Sequence, residues 1–316
     1  MRKSFRSTIP CPLSLPSDRL SLFHHPLITP TKGSNVHYCN IYHEESQVPV
    51  QVTSWRGAKT CGRMRKMGRK ERIEVALVQL RAKAPFDRAA DLIERARGAD
   101  LVILPELWRV GYLDFSAWED ESEPLHGETV AFLAAEARRI GAYVLGGSFI
   151  EAAGGRRYNT APFLDPAGNL LGVYRKRNLL SYRSQEQALL TPGDAPLVVR
   201  TEIGTFGAAI CYDLRFPELF RAMARQGVEV FLVPAAWPII RLEAWEVLTR
   251  ARATEDQAYL LGCNAVGKGL LGRSIAADPH GTAIARGGGE EGVVRAELDL
   301  AGLREFREEF PAWREG

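Results

Sequence analysis

Three residues with chemically useful side chains stand at the ends of apolar segments. Glu106 ends the segment LVILPE, Lys176 ends LLGVYRK and Cys211 ends FGAAIC. In α/β proteins, ligands bind at the carboxyl ends of strands, so this position marks all three as candidates for a functional site. Each also has an ordinary structural explanation. The glutamate could cap a turn, the lysine could lie on a solvated face, and the cysteine could be a small buried hydrophobic residue.

Together these side chains supply the parts of a cysteine-dependent acyl-transfer site. A free thiol has a pKa of about 8.5 and needs a base near neutral pH. Histidine is the usual base, but beyond residue 66 the chain has only His126 and His280, and neither ends a strong apolar strand. A desolvated Glu106 can act as the base instead. Lys176 and the backbone N–H of Tyr212 can then stabilise the oxyanion that forms when the thiolate attacks a carbonyl or nitrile carbon.

The elements that would position these residues alternate between strands and helices. Strands are predicted over Ile73–Leu80 and Tyr143–Ile150, and a helix over Glu128–Ile140. A hairpin is predicted around the turn Asp165–Gly168. The alternation indicates an α/β fold, and the hairpins indicate that its sheets are not purely parallel. Because no linker-like break follows residue 70, we predict one domain over residues 70–316.

Six motifs in this domain resemble the nitrilase, or carbon–nitrogen hydrolase, superfamily. In chain order they are LVILPELW, YRKRNLL, AAICYDLRFPEL, PAAWP, RARATEDQAYLLGCN and DPHGTAIA. The resemblance covers residues 71–316 and implies a triad of Glu106, Lys176 and Cys211. It also implies a supporting role for Glu186, in SQEQALLTPGD, whose other interpretation is a surface loop charge. The implied fold is a four-layer αββα sandwich that pairs into homodimers or larger assemblies, and the implied reaction needs neither a metal nor an organic cofactor.

The sequence around the cysteine is similar to the omega-amidase branch of that superfamily, because ICYDLRFPEL is followed by a Trp-Pro pair. That branch hydrolyses the terminal amide of short α-keto or dicarboxylic acid monoamides, so its substrates carry a carboxylate. An arginine can bind a carboxylate through two parallel hydrogen bonds, and the candidates are Arg215 and Arg241. Arg215 could instead form a structural pair with Asp213 or Glu218. The segment YRKRNLLSYRSQEQ replaces a longer His-Leu-Phe loop of many relatives, and this loop shapes the mouth of the pocket.

Several alternatives stay open at this point. The chain could be an N-carbamoyl amine amidase or a deaminated-glutathione amidase of the same superfamily, whereas a true nitrilase agrees less well with the motif around Cys211. A non-catalytic binding protein on the same fold is a further alternative, against which the complete Glu–Lys–Cys set argues. Nucleic-acid binding would depend on the basic start of the chain, which has no interleaved aromatic residues and no known motif.

Charge and composition separate the start of the chain from the rest. Residues 1–66 carry 10 Lys and Arg against three acidic residues, a net charge of +7, whereas the remainder carries 31 against 35, a net charge of −4. Prolines interrupt every short apolar stretch of the first part, so we predict a disordered basic extension over residues 1–69. Met64 and Met67 also allow a later start of translation. The histidines and cysteines of the extension match no zinc-ligand spacing.

The composition of the remaining domain indicates its compartment. It has only two cysteines, Cys211 and Cys263, which favours a reducing environment. The longest apolar run has 11 residues, over 230–240, whereas a membrane span needs about 18. We therefore predict a cytoplasmic hydrolase with no membrane or nucleic-acid partner. It would cleave the amide bond of a small carboxylate-bearing monoamide through a cysteine thioester and release ammonia.

Overall fold

Alternating strands and helices make up residues 69–315, the part of the chain that this computed structural model describes. The strands are β1 (Arg72–Gln79), β2 (Leu101–Ile103), β3 (Tyr143–Leu145), β4 (Phe149–Ala153), β5 (Arg156–Leu164), β6 (Leu170–Arg175), β7 (Leu197–Arg200), β8 (Thr205–Ala208), β9 (Val230–Ala235), β10 (Tyr259–Asn264), β11 (Val266–Gly267), β12 (Leu270–Leu271), β13 (Ile275–Ala277), β14 (Ala283–Arg286) and β15 (Gly292–Asp299). The helices are α1 (Phe86–Glu94), α2 (Glu128–Ile140), α3 (Glu186–Leu189), α4 (Pro217–Ala224), α5 (Leu242–Glu255) and α6 (Leu300–Glu309). The predicted extension, with its histidines and cysteines, lies outside the described residues apart from Arg69.

Thirteen of the strands form two mixed sheets, and β11 and β12 form a separate antiparallel pair. In the first, the order is β15-β1-β2-β3-β5-β4, with β6 paired to β5. In the second, the order is β14-β13-β10-β9-β8-β7. The central strands of each sheet are parallel, β1, β2 and β3 in one and β8, β9 and β10 in the other, and the flanking strands are antiparallel. The hairpin indicated around Asp165–Gly168 is the β5–β6 pair, as expected.

Strand β1 shows that the first sheet is covered on both faces. Val75 and Leu77 belong to the apolar core between the two sheets, whereas Ala76 and Val78 belong to the core beneath α1 and α2. All four side chains are at most 1% exposed. A strand that is buried on both faces appears in the sequence as a continuous apolar run, which is what residues 75–78 show.

Helices α4 and α5 cover the outer face of the second sheet. The ring of Phe220 in α4 meets that of Phe231 in β9, with 5.1 Å between the ring centroids. Trp245 of α5 packs so closely on β10 that a Cβ added to Gly262 would lie 2.7 Å from the indole ring. The layers are thus α1 and α2, the first sheet, the second sheet, and α4 and α5. The αββα architecture expected from the sequence is confirmed.

The single strand predicted over Tyr143–Ile150 is wrong, because the structure divides it into β3 and β4. The break lies at Gly147, whose φ is +69°, and a Cβ there would lie 2.1 Å from the carbonyl oxygen of Pro105. The redirected chain brings the Ser148 hydroxyl to the backbone N–H of Leu107, at 3.0 Å. The break therefore supports the turn that carries Glu106.

Strand β15 is not predicted from the sequence. It pairs antiparallel with β1 over all eight residues, from Gly292 to Asp299. Charged Arg295 and Glu297 interrupt its apolar residues, since β15 is an edge strand with one face toward solvent. No helix within residues 69–315 has the length and apolar character that crossing a membrane requires.

Candidate active site

Cys211 lies at a sharp turn between β8 and α4. It is the first residue of a 3₁₀ turn, Cys211–Arg215, that leads into the helix. Its φ is +46°, in the left-handed region that costs a non-glycine residue about 1 kcal/mol or more. The turn places the thiol at the carboxyl end of β8. Tyr212 follows within the first turn, where backbone N–H groups have no acceptor inside the helix and can serve a ligand.

Asp213 holds this turn against the first sheet. Its Oδ2 accepts hydrogen bonds from the backbone N–H of Ile210, at 2.9 Å, and from the hydroxyl of Tyr174 in β6, at 2.8 Å. Its Oδ1 accepts the backbone N–H and the side-chain Nδ2–H of Asn178, at 2.9 and 2.8 Å. The carboxyl is completely buried, and burial raises its pKa. Asp213 thus joins the cysteine turn to the strand that leads into Lys176.

Glu106 lies three residues beyond β2 and is 1% exposed. Its Oε1 accepts hydrogen bonds from Nζ of Lys176 and from Nδ2 of Asn159, both at 2.9 Å. Its Oε2 accepts the backbone N–H of Ala236, which directly follows β9, at 3.0 Å. The carboxylate therefore receives donors from both sheets, and its orientation is set by all three.

Lys176 directly follows β6, and its side chain is completely buried. Its Nζ lies 2.9 Å from Oε1 of Glu106 and 2.6 Å from Oε1 of Glu186. The ring of Tyr112 lies beneath the ammonium group, 5.5 Å from Nζ. Burial opposes the charge of the lysine, but the two carboxylates outweigh it and raise its pKa well above the usual value. The lysine is therefore a fixed positive charge inside the protein.

Glu186 is not a surface loop charge, because it is completely buried at the start of α3. One carboxylate oxygen accepts from Lys176, and the other accepts the backbone N–H of Leu180 at 2.5 Å. Burial raises its pKa, against the influence of the nearby lysine. Glu186 therefore links Lys176 to the loop over residues 177–185.

Cys211 is 8% exposed, and its surroundings favour the protonated thiol. Burial, and then the negative charge of Glu106, raise its pKa well above the usual value, while Lys176 lowers it less. A hydrogen bond to Glu106 also favours the protonated thiol. The arrangement needs a base to generate the thiolate, and the carboxylate of Glu106 is the hydrogen-bonding group in position to be that base.

The two candidate arginines lie in different settings. Arg215 is half-buried in the cysteine turn, with its guanidinium 5.2 Å from the ring centroid of Trp237. Within the described part of the chain it forms no ion pair, so the pairing with Asp213 or Glu218 considered from the sequence is wrong. Arg241 lies 5.5 Å from the ring centroid of Tyr182, which is exposed in the 177–185 loop. Arg215 is thus joined to the cysteine turn, and Arg241 to the loop.

Sequence reasoning missed Asn159, the N–H of Ala236 and Asp213 as contributors to this site. Asn159 stands in a strand of the hairpin, where the pattern does not distinguish the face toward Glu106. A backbone donor such as Ala236 has no side-chain signature at all. Asp213 was considered only as a partner for Arg215, although its place two residues after the cysteine could have suggested a turn-holding role.

Comparisons with known proteins show the family and the fold. The family profile described as "Carbon-nitrogen hydrolase" matches residues 74–308. The chain belongs to the carbon–nitrogen hydrolase family. The fold of this hydrolase resembles the crystal structure of Nit3 from Saccharomyces cerevisiae, described as a member of branch 10 of the nitrilase superfamily, with a TM-score of 0.71 and 31% identity. The match covers 78% of this chain and 97% of that one.

Curated relatives of this hydrolase carry amidase names. A protein of Paenarthrobacter nicotinovorans named 2-oxoglutaramate amidase is 35% identical over 257 residues, which covers 76% of this chain and 87% of the relative. A protein of Xenopus tropicalis named omega-amidase NIT2 is 35% identical over 244 residues, covering 73% of this chain and 88% of the relative.

Proposed function

We propose that this carbon–nitrogen hydrolase is an amidase of the omega-amidase type, with Cys211 as nucleophile, Glu106 as general base and acid, and Lys176 as oxyanion donor. The observation that carries the proposal is a fully buried Lys176 held between two buried carboxylates beside a buried thiol. A buried cation with fixed partners costs little reorganisation when negative charge develops next to it. This is the arrangement that acyl transfer needs in a site without histidine.

In the acylation step, Glu106 removes the proton from Cys211 as the sulfur attacks the amide carbon. The carbonyl π electrons move onto oxygen, and the resulting oxyanion is stabilised by Lys176 and by the backbone N–H of Tyr212. Glu106 then gives its proton to the amide nitrogen. The carbon–nitrogen bond breaks, ammonia leaves, and the acyl group remains on sulfur as a thioester.

In the deacylation step, a water molecule replaces ammonia. Glu106 takes a proton from this water, which attacks the thioester carbon and forms a second oxyanion at the same donors. Collapse of that intermediate breaks the carbon–sulfur bond, and the proton held by Glu106 returns to the cysteine sulfur. The product is a carboxylic acid, and the residues return to their resting state. Glu186 keeps Lys176 in place through both steps, and the reaction involves no metal or organic cofactor.

The substrate that we propose is a short monoamide with a free carboxylate. Relatives with the names omega-amidase and 2-oxoglutaramate amidase support this class. The setting of Arg215 supports it too, because a guanidinium without an ion-pair partner in the described residues can bind a carboxylate through two hydrogen bonds. The ring of Trp237 limits how far that guanidinium can move. Arg241, at the exposed loop, is the second candidate.

Ammonia release from a substrate panel tests this proposal. The panel contains monoamides with and without a carboxylate, N-carbamoyl amines, deaminated glutathione and nitriles, each assayed with wild-type enzyme and with Cys211→Ala. We expect turnover of carboxylate-bearing monoamides and its loss in the variant. A preference for carbamoyl compounds or for deaminated glutathione would show that the substrate belongs to that class instead. Wild-type activity in Cys211→Ala would overturn the mechanism.

We also propose that the enzyme acts in the cytoplasm as a homodimer or larger homo-oligomer. The sequence motifs support assembly, and two strongly exposed apolar side chains agree with it, Ile240 at 86% exposure just before α5 and Val247 at 62% within that helix. Sedimentation equilibrium of wild-type protein and of Ile240→Glu measures the assembly. A monomer at micromolar concentration in the wild type would contradict it.

A further inference from the structure

Asn159 in strand β5 has a hydrogen-bonding arrangement that is unusual for a buried amide. The side chain is completely buried, and its Nδ2 donates to Oε1 of Glu106 at 2.9 Å. Its Oδ1 is also buried and accepts no hydrogen bond from the described residues. An unpaired buried carbonyl oxygen is destabilising, so the contact with Glu106 is the single interaction that accounts for an amide at this position.

The carboxylate of Glu106 has two oxygens, and their hydrogen bonds differ. Oε1 accepts from two donors, Lys176 and Asn159, which occupy both of its lone pairs. Oε2 accepts the backbone N–H of Ala236 and keeps one lone pair for a further proton, such as that of the Cys211 thiol, which hydrogen-bonds to Glu106. The two oxygens are therefore not equivalent as bases, and Asn159 contributes to that difference.

We propose that Asn159 is a positioning residue that makes Oε2 of Glu106 the atom that accepts the thiol proton of Cys211. By donating to Oε1, the amide prevents the carboxylate from rotating and leaves that oxygen without room for a proton. It also stabilises the ionised carboxylate, which is the form that acts as base. The inference rests on the proposed function, because it assigns the protonation atom of that same general base.

The backbone of Asn159 reinforces this role. Its carbonyl oxygen accepts the backbone N–H of Lys176 at 2.8 Å, which extends the β5–β6 pairing by one step. One residue therefore positions the base through its side chain and the oxyanion donor through its main chain. A substitution of the side chain removes the first contact and leaves the second, so the two contributions can be separated by mutation.

The test replaces Asn159 with leucine, which has the same number of side-chain heavy atoms, the same branching at Cγ and no donor. Thr160→Val is the matched control, since Thr160 is the next residue of β5, is equally buried, and donates to Glu151 instead of Glu106. For each protein we measure kcat, KM and the pH profile of kcat/KM. We also measure the pH profile of Cys211 alkylation by iodoacetamide, read by mass spectrometry on the peptide that contains this cysteine.

We expect Asn159→Leu to lower kcat by about ten- to a hundredfold with KM within about twofold. The acid limb of both pH profiles should move to higher pH by about one unit, because the ionised carboxylate loses a hydrogen bond. Thr160→Val should leave both acid limbs in place, whatever its effect on the melting temperature. If the leucine variant does not fold, Asn159→Ser replaces it, because the serine side chain is too short to reach Glu106. We expect the same changes in kcat and in the acid limbs.

The proposal is overturned if folded Asn159→Leu or Asn159→Ser keeps the wild-type kcat and acid limb, if only KM changes, or if the control shifts the acid limb equally. The alkylation profile separates this result from the proposed function, because alkylation needs no amide substrate. A wild-type enzyme that hydrolyses nothing in the substrate panel would overturn the proposed function. The alkylation profile of the Asn159 variants would then still decide the role of the amide.

Discussion

Nζ of Lys176 lies 2.9 Å from Oε1 of Glu106, across 70 residues of sequence, with both side chains completely excluded from solvent. Glu186 contacts the same Nζ at 2.6 Å. The lysine charge thus lies between two buried carboxylates and contacts both. Removal of one partner from a buried ion pair strongly destabilises the fold, because the remaining charge stays buried without compensation. The catalytic assignment and the stability of the fold are therefore linked at this position.

Lys176→Met should lose both activity and stability. We expect unfolding in urea to show a loss of about 3–5 kcal/mol, because two buried carboxylates lose their counter-charge. Amide hydrolysis should fall by at least about a hundredfold. The double variant Lys176→Met/Glu106→Gln should recover part of the stability and none of the activity. Equal stability of wild type and Lys176→Met would show that the lysine does not stabilise these buried carboxylates.

The resting state of Cys211 should be detectable as a missing thiolate. Burial and the nearby Glu106 raise the pKa of this thiol, so it stays protonated where an exposed cysteine ionises. A free cysteine titrates near 8.5, and its thiolate absorbs near 240 nm. We expect the absorbance difference between wild type and Cys211→Ser to show no such ionisation between about pH 7 and 9. The other cysteines cancel in this difference. An ionisation step at or below that midpoint, lost in the serine variant, would contradict the neutral resting thiol.

Arg215→Lys should distinguish substrates by their carboxylate. Lysine keeps the positive charge but loses the planar pair of donors and the stacking on Trp237. We expect kcat/KM for a carboxylate-bearing monoamide to fall by about ten- to a hundredfold, mainly through KM, with little change for a neutral amide. Arg286→Lys is the control, because this partly exposed arginine of β14 pairs with Glu246 of α5. If Arg241→Lys has the larger effect, the carboxylate site lies at the loop.

Asp256 should make stability depend on pH. This completely buried residue at the end of α5 has Arg221 3.1 Å from Oδ1, yet neither carboxylate oxygen accepts a well-directed hydrogen bond from the described residues. Burial raises its pKa from 3.8 to about 7. Between these values the folded protein binds a proton that the unfolded chain releases, so the contribution of Asp256 to stability is complete below pH 4 and is lost as the pH rises through 7.

Asp256→Asn should therefore be less sensitive to pH than the wild type. We expect the free energy of unfolding of the variant, relative to wild type, to rise by about 3 kcal/mol from pH 4 to pH 8. Urea titrations at several pH values measure this difference. A variant that loses stability relative to wild type over the same range would reverse the sign and indicate that the ion pair with Arg221 dominates.

The sequence predicted several elements because their signals are local. Continuous apolar runs mark strands that are buried on both faces, and β1 is one of them. Helix α2 has the predicted bounds, Glu128–Ile140, because an apolar stripe of helical period ends at Gly141, where φ is +69°. The division of Tyr143–Ile150 into two strands escaped prediction, because it depends on how closely Gly147 approaches the distant Pro105.

The sequence by itself therefore determined the fold class, the family resemblance and the identity of the three candidate catalytic side chains. These follow from residue types at strand ends and from motifs in a given order. Only the tertiary structure decided which groups surround them, such as Asn159 and the N–H of Ala236 on Glu106, and that Arg215 has no ion-pair partner within residues 69–315. Those contacts join residues from different strands and both sheets, and their distances are set by sheet packing, which leaves no local trace in the chain.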